Sequence, residues 1–394
     1  LFENGFYDEF KKAQANLAAN IAAGRGNTFA YTGVTGTSPL PIYLAHLNGR
    51  SDATSTGAYT GANWTNTTLT GRLAVYNPNV ESAADDLYND ATRRANALAA
   101  GLPANFFAMN PQVGNANIMR STGGGRYHSM QVEYRRRLSK GLLVNASYTY
   151  QRTFNYVSES FARDRFYLEA AGVPHAWRMN WNYELPVGRG RRFGNEWGGV
   201  LNAILGNWEF SGTSRFQIQS FSATGARLVG MDKDELQDAF KIRRAVDANG
   251  VLNVYSMPDD IILNTRRAYS VSATLPGGYS ALGAPEGRYI APASQPGCIY
   301  MYEGDCGVNR FFINGPLFKK VDVRMTKKFP FATRATADVS IEFMNVFNTI
   351  NENATFNPGS GATIFQVTSG YRDTGVDVND PGGRIGQIVW RISW

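Results

Sequence analysis

The sequence predicts an all-β chain, a transmembrane antiparallel β-barrel, of which these residues supply about the last seven strands with long extracellular loops. Two observations carry this. Seven segments from residue 127 onward alternate apolar and polar residues with period two, the repeat of a strand whose two faces meet different surroundings. Their apolar phase holds 32 positions without a charge, whereas 13 of the 32 positions on the other phase are charged. The joints supply a third observation: short and long ones alternate, as the two rims of a membrane barrel do.

The first segment sets Met130, Val132 and Tyr134 against Gln131, Glu133 and Arg135. After SKG, the second sets Leu142, Val144, Ala146, Tyr148 and Tyr150 against Asn145, Ser147 and Thr149. The third sets Trp177, Met179, Trp181 and Tyr183 against Arg178, Asn180, Asn182 and Glu184. In the fourth, Trp208, Phe210, Gly212, Ser214, Phe216 and Ile218 oppose Glu209, Ser211, Thr213, Arg215 and Gln217. Three more follow a long interval. Val321, Val323 and Met325 oppose Asp322 and Arg324; Ala335 to Phe343 oppose Asp338 and Glu342; Gly386, Ile388, Trp390, Ile392 and Trp394 oppose Gln387 and Arg391.

A soluble β-sandwich or small barrel points its apolar phase inward, whereas an outer-membrane barrel points it at lipid around a polar lumen. Rings near the strand ends favour the membrane. Tyr134, Tyr183, Trp208 and Trp394 lie toward one end, and Tyr150, Trp177, Phe216 and Phe343 toward the other. Two such girdles are expected where rings sit at both bilayer interfaces. The long joints 152–175, 219–317 and 344–384 then lie outside the cell, with LSKG and KFPFAT as periplasmic turns. The joint 186–207 departs from the rule, being long on the periplasmic side. Residues 1–126 read as an extracellular loop region with short helices, and 127–394 as the barrel strands, including the extracellular loop 219–317. The lumen charges Glu133, Arg135, Arg178, Glu184, Arg215, Asp322, Arg324, Asp338 and Glu342 are candidates for a transport path or for contacts to a plug. Cross-strand ion pairing within a rigid wall is the alternative.

The totals agree with this class. Gly 41, Tyr 20 and Phe 23 among 394 residues suit antiparallel β-structure. No stretch approaches the roughly 18 apolar residues of a membrane helix. The opening LFENGFYDEF lacks the basic start and apolar core of a signal peptide, so the chain either stays in the cytoplasm or its true start lies upstream. Cys298 and Cys306 lie close in one loop without the partners of a zinc site; a disulfide fits them, with two free thiols as the alternative.

Longer stretches resemble a known family. YHSMQVEYRRRLSKGLLVNASYTYQRTFN, ELPVGRGRRFG, LGNWEFSGTSRFQIQSF, GPLFKKVDVRMTKKFPF, IEFMNVFN and the aromatic terminus are similar, in order and spacing, to the C-terminal part of TonB-dependent outer-membrane receptors of the Oar-like type. The resemblance covers nearly the whole chain. It implies a barrel of about 22 strands around an N-terminal plug, in the bacterial outer membrane, energised by the TonB complex. Its partners would be outer-membrane lipid, the rest of the barrel and plug, and an extracellular protein or oligosaccharide ligand. An aromatic last residue such as Trp394 also resembles the signal that barrel-assembly machinery reads. Counting back from a periplasmic C-terminus, the first strand near 127 descends from outside. Seven strands that start outside cannot close a barrel, so the chain is expected to be the C-terminal third of one.

Other chemistries fare less well. His128 and His175 fall on the lipid phase and His46 stands alone, so no base reaches a lumen substrate and no enzyme is expected. GRGRRFG lacks the spacing of a phosphate-binding loop. It reads as a turn whose arginines, with Arg135, Arg136, Arg137, Lys140, Lys327 and Lys328, meet anionic headgroups rather than nucleic acid. Asp247–Gly250 and Asp377–Gly383 offer oxygens to Ca²⁺ without an EF-hand frame, and Asx-turns account for them better; no cofactor is expected. A structural or adhesive scaffold whose loops bind another protein, or a passive porin, are the rival functions to transport.

Overall fold

The first hairpin shows how the sheet begins. Lys140 and Gly141 both take positive φ, 53° and 79°, the backbone of a two-residue turn that matches the twist of the strands it joins. A Cβ on Gly141 would stand 2.5 Å from the Glu184 carbonyl oxygen, so a side chain there would collide with backbone. A computed structural model of the chain describes all residues except 109, 111, 113–123, 158–165, 247–248, 301–305, 307–309, 333–334, 355, 357, 360–363, 368–371, 374–377, 380–382 and 394.

Helices come first: α1 (Phe6–Ala22), α2 (Pro41–Asn48), α3 (Thr67–Arg72), α4 (Val80–Tyr88) and α5 (Ala91–Ala99). Then follow β1 (Gly125–Ser139), β2 (Leu142–Val157), β3 (Phe166–Glu169), β4 (His175–Glu184), α6 (Gly199–Leu205) and β5 (Trp208–Thr224). The next connection carries β6 (Ala226–Val229), α7 (Lys233–Ala239), β7 (Arg243–Val246), β8 (Leu252–Tyr255), α8 (Asp259–Tyr269) and β9 (Tyr289–Pro292). It leads to β10 (Arg310–Ala332) and β11 (Ala335–Met344), then the short β12 (Arg372–Asp373) and β13 (Val378–Asn379), and finally β14 (Ile385–Ser393).

One antiparallel sheet runs β1-β2-β4-β5-β10-β11-β14, with β3 pairing β2 off that path. All seven segments expected from the alternation lie in it, in the expected order. The connection read from sequence as 219–317 is shorter than expected, because β5 continues to Thr224 and β10 already begins at Arg310.

The register is staggered. The lateral line through Gly386, Phe343, Val323, Gly212, Trp181, Val144 and Arg136 starts near the beginning of β14. It ends close to the first hairpin on β1. Strands that slide in this way tilt relative to the axis around which they curl, as closure into a barrel requires. Along that line Gly212 lies beneath the Trp181 ring: an added Cβ would stand 2.9 Å from the ring and 2.7 Å from the Asp322 carbonyl oxygen. The apolar phase thus carries a glycine where a neighbouring indole needs the space.

At the end opposite the first hairpin, the long connections form a core of their own. Phe221 and Ala223 continue the polar phase of β5 beyond Gln217, but as apolar residues. A bulge between Asn314 and Leu317, at the Gly315-Pro316 pair, keeps Phe311 and Ile313 on that same face, since it adds one residue to β10. Ala223 and Ile313 are buried with Leu236, Phe240, Met257, Ile261, Ile290, Ala354, Ile364 and Phe365, and Phe221 and Phe311 pack against them. The described residues of the connections 225–309 and 345–384 that join this core therefore lie over the polar face, held there by apolar burial.

Residues 1–108 build a helical unit. Phe6, Phe10, Ala13 and Leu17, one stripe of α1, are buried with Tyr43, Leu44, Trp64, Leu69 and Leu87, the spacing of an amphipathic helix. Ile299 from the β5–β10 connection joins this core, and Tyr76 stacks on Tyr279 at 4.6 Å, so the helical unit rests on that connection. Asn16 and Asn20 are fully buried yet satisfied. Asn16 donates to Phe29 O and Ser38 O, and Asn20 to Thr28 O and Ala30 O. Glu9, 4% exposed, accepts from the N–H groups of Ile42 (2.9 Å) and Tyr43 (2.7 Å), which are donors left without helical partners at the start of α2.

Burial raises the Glu9 carboxyl to about 7, with the two N–H bonds and Lys12 pulling the other way. The folded chain then holds a proton that the unfolded chain releases near the ordinary value of 4.5. Stability from this group is complete below that value and is lost as pH rises through about 7, at most about 3 kcal/mol. The helical circular-dichroism signal should melt at higher temperature at mildly acidic than at mildly basic pH, and Glu9→Gln should flatten the difference. Gly212→Val should cost about 1–3 kcal/mol through overpacking against Trp181, read as a lowered denaturant midpoint by tryptophan fluorescence.

Candidate functional site

The polar face of the sheet is hollowed. Glu133, Ser147, Arg178, Arg215 and Lys320 lie opposite one another on five successive strands. With Asn145, Asn180, Thr213 and Asp322 they line a concavity of ≈ 410 Å³. Side chains of one phase meet across strands because alternate residues share a face.

Most charges on this face are matched. Arg135 pairs with Glu133, Arg191 with Glu184 at 3.0 Å, and Arg324 with Glu342 at 3.1 Å. Gln387 of β14 also donates to Glu342. Glu209 accepts from Asn182 at 2.6 Å and from Lys328. Asp322 accepts from Thr213 Oγ1 at 3.2 Å and from the Asn345 N–H at 2.8 Å, which ties the wall to the turn that follows β11. Asp338 lies opposite Arg391 and Lys328. Arg178, Arg215 and Lys320 are like charges set side by side, with Lys320 4.0 Å from Asp322 and Arg215 donating to Gln217 at 2.9 Å. Arg215 lies 4.8 Å from the Phe318 ring centroid, a cation–π placement that offsets part of the repulsion. A row of this kind attracts the carboxylate or phosphate of a bound group.

Of the nine charges expected on this face, Glu133, Arg178, Arg215 and Asp322 line the concavity. Arg135 pairs with Glu133 and Arg324 with Glu342 beside it, while Glu184 and Asp338 sit toward the turn end. Phe318, Phe311 and Phe221 belong to the same face: Phe318 and Phe221 continue the polar phase of their strands, and Phe311 joins it because the bulge at Gly315 and Pro316 shifts the period by one residue.

The interface rings lie on the other face. Trp177 is opposite Phe216 and Tyr148, and Tyr183 is opposite Phe210. Tyr150 is opposite His175, and Phe343 is opposite Gly386. Trp208 stands at the turn end opposite Lys327, and Tyr134 opposite Ala146. Trp394 lies outside the described residues. His175 Nδ1 is hydrogen-bonded to Tyr148 Oη at 2.8 Å on this apolar face. Lys327 departs from the basic cluster expected at the turn end. It is 4% exposed, covered by α6, and so is withdrawn from solvent.

Cys298 and Cys306 form a disulfide, with their Cα atoms 5.2 Å apart. It staples the β5–β10 connection beside Ile299. Asp247 and most of 377–383 lie outside the described residues. Among the described residues no group of three or more His, Cys, Asp or Glu is placed to hold a metal ion.

A family model described as an outer membrane beta barrel domain matches residues 48–387. No curated protein and no solved structure matches the chain.

The wall contacts differ in worth. Asp322→Ala leaves the Asn345 N–H without its charged acceptor and should cost about 1.5–3 kcal/mol. Glu342→Gln, which loosens a half-exposed pair, should cost at most about 1 kcal/mol. Guanidinium unfolding of the two variants checks the order.

Proposed function

The chain belongs to the outer membrane beta barrel domain family and has its place in the bacterial outer membrane; from that premise we propose that it is the C-terminal wall of a TonB-dependent transporter for a bulky ligand. The observation that carries this reading is the seating of connections 225–309 and 345–384 on the polar face. A lumen covered from outside by a packed loop core suits a gated route better than a passive porin, whose lumen is an aqueous channel.

The two outer strands support the same reading. β1 pairs with β2 and β14 with β11, and each turns its other edge away from the sheet. Exposed backbone edges do not persist in hydrocarbon, so further strands of the same barrel complete both sides. A plug within that barrel would meet the row Arg178, Arg215 and Lys320, and the TonB complex would supply the energy. An extracellular protein or oligosaccharide would dock on the connections and the helical unit. No catalytic step belongs to this reading.

The rival is a scaffold that holds another protein at the cell surface. It draws on one feature, the folded helical unit of residues 1–108, which is more built than a loop that only admits solute.

The intact protein, drawn from its native membrane into a planar bilayer with potassium chloride, separates these readings. A gated transporter should stay closed, and removing residues 226–292 should raise conductance sharply. Constitutive conductance by the unaltered protein would favour the porin. In cells, collapse of the proton-motive force should abolish uptake of the ligand. Unchanged uptake, in cells that lose a surface partner when the protein is deleted, would favour the scaffold.

A further inference from the structure

The joint 186–207 between β4 and β5 carries the short helix α6, and this helix is built inside out. Val200, Leu201, Ile204 and Leu205 are exposed, at 77%, 44%, 60% and 46%. Asn202 turns the other way, and its Oδ1 accepts the Arg189 N–H at 2.8 Å. A helix bathed in water puts its apolar stripe against the protein; this one puts its amide there.

Its seat explains which side it occupies. Lys327 Nζ donates to the Gly206 carbonyl and reaches the Asn202 carbonyl at 3.4 Å, while Trp208 Nε1 donates to Ile204 O at 2.9 Å. Gly206 O and Ile204 O lie at the end of α6 beyond its helical ladder, whereas Asn202 O already accepts the Gly206 N–H at 2.9 Å; a cation beside this end also suits the helix dipole. Lys327 and Trp208 face each other across β10 and β5 on the apolar phase, the phase of Val323, Met325 and Phe210. The helix therefore lies against the outer, apolar side of the wall, not the polar side from which a plug or solute would approach.

We infer that α6 is an interfacial anchor, whose four apolar side chains enter the acyl boundary of the phospholipid leaflet around the turn end. The inference rests on the membrane reading of the apolar face, with which the exposed stripe is continuous. Charge points to the same occupant. Arg137, Lys140 and Arg192 are exposed at this end, placed for the phosphates of anionic headgroups. Interfacial helices bind in this way, by apolar burial with basic residues beside it.

The test uses the full chain in vesicles of phosphatidylethanolamine and phosphatidylglycerol with brominated acyl chains. Cys298 and Cys306 are joined, so one introduced thiol takes a fluorescent label alone. Three variants are compared: Ile204→Cys on α6, Ile388→Cys on the apolar face of β14, and Thr68→Cys on the helical unit. The label at 204 should be quenched by bromine, shielded from aqueous iodide and placed roughly 5–10 Å below the headgroups. The label at 68 should respond to iodide alone. If 388 is quenched by bromine while 204 behaves like 68, the anchor is wrong and the membrane wall stands. If 388 also escapes bromine, the membrane reading fails and takes the anchor with it.

Discussion

The structure depends first on one constraint, the pairing of backbone N–H and C=O groups between neighbouring strands. In hydrocarbon no water replaces a missing partner, so a spanning sheet must bond every strand on both sides. Period-two alternation follows, because each strand then shows one face to lipid and the other to the lumen. So does the stagger that carries a lateral line from the start of β14 to the first hairpin on β1. Gly212 and Gly141 are read by the same rule: each stands where a neighbouring ring or carbonyl approaches the ladder too closely for a Cβ.

On this wall the polar phase does two jobs along its length. Around the concavity it is polar, with ion pairs such as Arg324–Glu342 and a row of three cations. Farther along it becomes apolar at Phe221, Ala223, Phe311 and Ile313, and the connections settle on it. The change of character within one face decides where the connections can settle. A channel open throughout would have kept the phase polar to the rim. The helical unit then rests on the covering connection through Ile299 and the Tyr76–Tyr279 stack, so three layers follow from one change in side-chain polarity.

Much of the sheet was legible because side-chain alternation is a local property. Trp177 and Arg178 or Val323 and Arg324 declare their faces without knowledge of any partner. The pairing of Cys298 with Cys306 was within reach for the same reason, the two being eight residues apart. Less legible was the upper part of β10, where Gly315-Pro316 adds a residue and reverses the phase, so that Phe311 and Ile313 read as if they faced lipid. Within the wall, the like-charged row could not be seen from single strands, since Arg178, Arg215 and Lys320 become neighbours only through the register.

The sequence by itself determined seven strands of the sheet, their order and which phase is apolar, since alternation depends on residues two apart. It also marked the turns, where Lys140-Gly141 gives the chain little alternative. The tertiary structure decided what lies against each face. Lys327 meets Gly206 across 121 positions of chain, and that contact turns a lysine expected at the headgroups into the buried support of α6. Phe221 meets Ile313 in the same way, through a bulge. Such choices rest on which distant groups can satisfy a carbonyl or exclude water together, and only the folded chain brings those groups within reach.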